Sequence, residues 1–246
     1  MSMRTKLFAG AGVALTLALG AILPAALADS GGTYRVTLVN LTHGQPFSPP
    51  VAATHQKSIR MFSVGALATD ELAAIAQDGN EGPMVALFQA SAKATDVVDV
   101  GRPVTASGTT VGSFTDTVSF EIDAAPGDRL SLATMLICTN DGFLGLDAVK
   151  LPTSGSETFL LNGYDAGREQ NTERSVNIVD PCSGLNPGFP LAGDPNGNVD
   201  GGAVATSPAE AIRHHPGIAG GADLDPSLMK HGWADPVARV IVERIS

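Results

Sequence analysis

The sequence predicts an all-β fold, an antiparallel β-sandwich with one short helix and long loops, and three observations lead there. Several short runs alternate apolar and polar residues, the period-2 pattern of strands with one buried face. Turn formers are abundant, 28 glycines and 16 prolines in 246 residues, which argues for many turns and against a helical bundle. Only one segment carries a firm helical pattern.

Taken in order, residues 1–28 read as a signal peptide and not as part of the fold. Arg4 and Lys6 form a basic start, an apolar run follows through Leu23, and Ala26-Leu27-Ala28 is a small-x-small cleavage signal, so processing is expected after Ala28. The run is short against the roughly 20 residues of a membrane-spanning helix, and no later segment is apolar enough to span. The expected location is secreted or periplasmic. Loss of Arg4 and Lys6 would take the net charge from −10 to −12, a surface that repels nucleic acid and suits divalent cations or basic partners. Residues 29–246, in a chain 43% hydrophobic and 16% charged, are expected to form a single domain around one substantial core.

Residues 34–41 alternate as a first strand. Residues 68–77 read as the helix: Thr69 is the expected N-cap, Asp70 and Glu71 suit its positive end, Leu72, Ile75 and Ala76 share a face, and Gly79 stops it. Packing over one end of the sandwich is its expected role. Further strands are read at 84–87, 111–114 and 117–122, then a core strand through Ile137. The turn Ala125-Pro126-Gly127-Asp128 reads as the connection of a β-hairpin. After a short strand at 158–161 and an acidic turn at 162–167, little periodicity survives between 180 and 235. So long an irregular stretch suggests a functional loop, or one pinned by ions and a disulfide. A strand at 237–245 closes the chain.

The organising stretch is 131–150, SLATMLICTNDGFLGLDAVK. An apolar strand buried on both faces runs into Cys138-Thr139-Asn140-Asp141-Gly142, a polar turn ending in a carboxylate, and the chain then returns to the interior. Cys138 and Cys182 are the only cysteines, so in an exported protein one pairing is possible. That bridge closes a loop containing both acidic turns.

Residues 141–147, DGFLGLD, resemble the Asp-Trp-Phe-Val-Gly-Leu/Val-Asp turn of the spondin domain family, known from F-spondin and mindin and from secreted bacterial proteins. Residues 164–169, YDAGRE, resemble its Asp-Ala-Gly-Thr-Asp turn, and residues 238–245 resemble its final strand. The resemblance implies a sandwich of the calcium-dependent membrane-binding type, with Ca2+ at one end held by Asp141, Asp165 and Glu169. Oxygen ligands of this kind suit calcium, which takes six to eight. Gly142 stands where the family has tryptophan, and Glu169 where the animal proteins have aspartate.

Other candidates carry less. The turn at 194–201 has alternating oxygen ligands, but an EF-hand register from Asn196 puts Ser207 where glutamate is required. His43 and His55 read as structural hydrogen-bonding groups, and the adjacent pair His214-His215 as an unsuitable metal site. No nucleophile elbow, zinc-protease helix, phosphate loop or dinucleotide fingerprint occurs. The expected function is therefore a secreted, non-catalytic, calcium-binding adhesion or matrix-type module whose partner is an extracellular protein or glycan. The alternative is a secreted glycosidase-like hydrolase using acids such as Asp141 and Asp147, for which one tryptophan and two tyrosines supply few sugar platforms.

Overall fold

In a computed structural model, residues 31–188 and 202–246 are described. The expected signal peptide at 1–28 and the Asx-rich turn read at 194–201 lie outside them. In chain order the strands are β1 (Gly32–Asn40), β2 (Val51–His55), β3 (Ala94–Asp99), β4 (Thr117–Ala124), β5 (Arg129–Met135), β6 (Gly142–Lys150), β7 (Ser156–Leu161), β8 (Gly163–Asp165), β9 (Arg213–His214) and β10 (Ala238–Arg244). Among the described residues, three α-helices, α1 (Asp70–Asp78), α2 (Gly82–Gln89) and the single-turn α3 (Cys182–Leu185), accompany them.

The strands form two antiparallel sheets, one ordered β4-β1-β10-β7 and one β3-β2-β5-β6-β8-β9. The first and last strands pair in the middle of the smaller sheet, from Tyr34 opposite Arg244 to Asn40 opposite Ala238. Their alternation then does its work: Tyr34, Val36 and Leu38 point inward with Val240 and Val242, and meet Leu130, Leu132, Leu144 and Leu146 from the larger sheet. β5 is buried on both faces, its leucines and Ala133 joined there by Ser131 and Thr134, whose hydroxyls are hydrogen-bonded. Its second face, with Phe143 of β6, packs against Leu72, Ile75, Ala76, Met84 and Phe88 of the two longer helices. Helices thus cover a face of the larger sheet and not an end of the sandwich.

Thr69 caps α1 by accepting from the Leu72 N–H, and Gly79 ends it at φ 62° with its own N–H donating to Ile75 O. Three expectations are corrected. The strand read at 84–87 is part of α2, because Gly82-Pro83 opens a helix with proline in the first turn, where its missing N–H costs nothing. The strand read at 111–114 is a tight turn closed between Val111 and Phe114. Residues 125–128 do form a turn, with Gly127 at φ 83° and Asp128 accepting from Ala125 N, yet it is no hairpin. It carries the chain from β4 in one sheet to β5 in the other, so that Ile122 and Leu130 both enter the inter-sheet core.

The irregular region is pinned to this frame. Cys138 and Cys182 form the disulfide, within a cluster that includes Met135, Ile137, Ile178 and Leu185. Glu173, held at φ 56°, is buried and accepts from the N–H groups of Ala219, Gly220 and Gly221. Gln45 pairs its amide with the Cys138 backbone in both directions and donates to His231 O, joining three loops. No helix among the described residues is long and apolar enough to cross a membrane.

Candidate metal centre

The turn between β5 and β6 folds around Thr139, whose hydroxyl donates to Leu136 O (2.6 Å) and accepts from Gly142 N (2.9 Å). A Cβ on residue 142 would lie 2.5 Å from that hydroxyl. Glycine there and threonine three residues earlier are therefore a matched pair. Asn140 reaches Thr172 and accepts from Glu173 N, and the disulfide holds the other side. Asp141 emerges from the turn wholly buried.

Its carboxylate organises the second acidic turn. Oδ2 accepts from the N–H groups of Arg168 (2.6 Å) and Glu169 (2.9 Å), while Asp141 O accepts from Ala166 N (3.1 Å). Asp165, also fully buried, accepts from Gly167 N through Oδ1 at 2.7 Å. Gly167 sits at φ 70° against the Glu210 backbone, where a Cβ would approach the carbonyl oxygen to 2.4 Å. Asp165 Oδ2 accepts from Asn171 (2.8 Å) and forms an ion pair with Arg213 (3.0 Å). Glu169 Oε1 accepts from Gln77 Nε2 at the end of α1 (2.7 Å), and Arg168 pairs with Asp70.

The three sequence-selected acids are thus gathered at one end of the larger sheet. Burial, and then the charge of Asp165, push the Asp141 carboxyl up to about 6 against the opposing N–H groups and Arg213. Burial also raises Glu169 to about 7, with Asp141 and Asp78 adding to it and the Gln77 hydrogen bond resisting. Asp141 Oδ1 has no hydrogen-bond partner among the described residues. An orphan carboxylate oxygen facing a second carboxylate is the environment a hard cation relieves. With all three acids ionised, they and Arg213 together carry charge −2, which a divalent ion balances. The donor set therefore fits calcium by chemistry. It does not form a closed cage: no group of three His, Cys, Asp or Glu among the described residues stands at metal-holding separation, so ligation requires side chains to draw together.

Asn171, Gln77 and Arg213 were not legible as site residues. Asn171 lies only six residues beyond Asp165 in an oxygen-rich stretch, which is a weak signal; Gln77 and Arg213 offered none, since both arrive through tertiary packing. Of the histidines, His43 is exposed, while His55, His214 and His215 are held by hydrogen bonds or ring packing. His55 is buried between Ser131 Oγ (2.8 Å) and Gln56 O (2.9 Å). His214 lies against Tyr164 and His215 against Trp233, with ring centroids 5.1 and 4.9 Å apart.

The Spondin_N family matches residues 40–179, which include both acidic turns. The chain belongs to the spondin N-terminal domain family. No curated protein matches it significantly. The family is an extracellular-type domain, and the disulfide fits that location. Cys182, the irregular region at 202–236 and β10 lie beyond the matched residues, although β10 completes the smaller sheet.

Proposed function

We propose that this spondin-type domain is exported by the leader at 1–28, with Asp29 as its mature start, and works as a calcium-dependent binding module of the adhesion or matrix type. Asp141 Oδ1 carries this reading, a buried carboxylate oxygen without a hydrogen-bond partner among the described residues and beside a second buried carboxylate. Asp141 Oδ1, Asp165 and Glu169 would hold the ion, which would tie the β5–β6 turn to the turn at 165–169 and stiffen that end of the sandwich. A stiffened loop cluster suits recognition of an extracellular protein or glycan, since ordering of the loops would be complete before the partner arrives.

No catalysis is proposed. The acids named for a hydrolase have other partners: Asp141 holds two backbone N–H groups, and Asp147 pairs with Arg60. Calorimetric titration of chelator-treated protein with calcium tests the reading, with one site expected in the wild type and none in Asp141→Asn. Glycoside turnover abolished by Asp141→Asn would replace it with the hydrolase, and an uncleaved leader on exported protein would refute the proposed processing.

A further inference from the structure

A second feature of β6 lies away from the acidic turns. Between Leu130 opposite Val149 and Leu132 opposite Leu146, β6 has one residue more than β5, a β-bulge. Ala148 sits in it at φ 52°, a left-handed conformation that costs a non-glycine residue of order 1 kcal/mol. The strain is held in place from behind: Ser131 Oγ accepts from Ala148 N (2.9 Å) and is hydrogen-bonded to His55. Next to the bulge, Asp147 lines a groove of about 560 Å3 with Phe62, Tyr164, Phe159 and Leu160. One carboxylate oxygen accepts from Arg60; the other, Oδ1, is buried and has no hydrogen-bond partner among the described residues.

The groove also has two open sheet edges. β8 pairs with β6 only from Gly142 to Leu144, so β6 beyond Gly145 has no strand on that side, and β7 pairs only with β10, among the described residues. β7 reads SETFLL, without the proline or lysine that commonly blunts an edge, and Leu160 is 64% exposed. A carboxylate with one unpartnered oxygen beside aromatic faces suits an ammonium or guanidinium group. Arg60 engages only Oδ2, and its side chain is 56% exposed, so it can turn to solvent when a ligand cation arrives.

We infer that this groove docks an extended peptide strand from a partner protein, added along β7, with a lysine or arginine side chain reaching the Asp147 carboxylate, which is 18% exposed at the groove. Main-chain pairing with the open edge supplies affinity and the Asp147 carboxylate supplies selectivity. The acidic balance of the chain, −10 overall, favours a basic partner. This names a partner class for the binding module proposed above, yet the groove needs no calcium.

The test is an NMR titration in chelator, so that its outcome is separate from that of the calcium measurement. The probes are a capped pentapeptide of alternating valine and threonine with a central lysine, the same peptide with norleucine at the centre, and n-butylammonium alone. The lysine peptide is expected to shift amides of residues 145–150 and 156–161. Norleucine in the peptide, or Asp147→Asn in the protein, is expected to weaken binding about tenfold or more, the loss of one charge-assisted contact. Equal binding of the two peptides, no binding, or n-butylammonium binding as tightly as the lysine peptide would each overturn the inference. Should Asp147→Asn fail to fold, the two peptides on the unaltered chain decide it.

Discussion

Asp141→Asn should stabilise the calcium-free protein at pH 8 while abolishing its response to calcium. The pKa of Asp141 rises from 3.8 to about 6 on folding, so ionised Asp141 costs the native state about 3 kcal/mol at roughly 1.4 kcal/mol per unit. Asparagine removes that charge and keeps an oxygen for the N–H groups of Arg168 and Glu169. Its amide nitrogen would replace the orphan Oδ1, leaving donors incompletely paired at a cost of about 1–2 kcal/mol. The expected net gain is about 1–2 kcal/mol. The sign with pH follows from proton linkage. A carboxyl with a raised folded pKa binds protons more tightly when native, so wild-type stability falls as pH rises from about 4 towards 6, and Glu169 extends the fall to about 7. The advantage of Asp141→Asn should therefore vanish below pH 4. Urea unfolding in chelator, with the disulfide intact, measures this at pH 4, 6 and 8. A variant less stable than wild type at pH 8, by a margin independent of pH, would refute the buried-charge reasoning.

Removing the disulfide with Cys138→Ser and Cys182→Ser should cost about 4 kcal/mol on the chain-entropy model, given a sequence separation of 44, and urea midpoints check it. Gly142→Trp should destabilise by about 2 kcal/mol or more through overpacking against Thr139. Adding Thr139→Gly should recover part of that loss, as a double-mutant cycle will show. Glu173→Ala orphans three backbone N–H groups at 219–221 and should cost about 2–3 kcal/mol, with faster proteolysis between 216 and 224.

Part of the sandwich was legible, where strands are chemically one-sided or mostly apolar, whereas β2 and β3 were not read as strands. β1 and β10 alternate, β5 does not, and each pattern has one economical burial. What could not be read was the assignment of neighbouring strands to sheets: the turn at 125–128 has the residues of a hairpin, and only the shared core of Ile122 and Leu130 shows why the chain changes sheet there. α2 was missed because Met84-Val85-Ala86-Leu87 is too short and too uniformly apolar to show a period, although Gly82-Pro83 before it was the available signal. At the acidic end the carboxylates were visible as residue types. Their counter-groups were not, since Arg213 comes from β9 and Gln77 from α1, and no spacing connects either to Asp141.

Thermal unfolding with calcium against chelator, on wild type and Asp165→Asn, tests most directly whether the buried acids form a calcium site. For an ion that binds only the native state, a hundredfold excess over its dissociation constant adds about 2.7 kcal/mol, roughly 5–10 °C in Tm for a domain of this size. Wild type should show that rise and Asp165→Asn little or none. Identical wild-type melting in calcium and chelator, with no calcium uptake by calorimetry, would contradict the site and leave the paired charges of Asp165 and Arg213 as a structural contact alone.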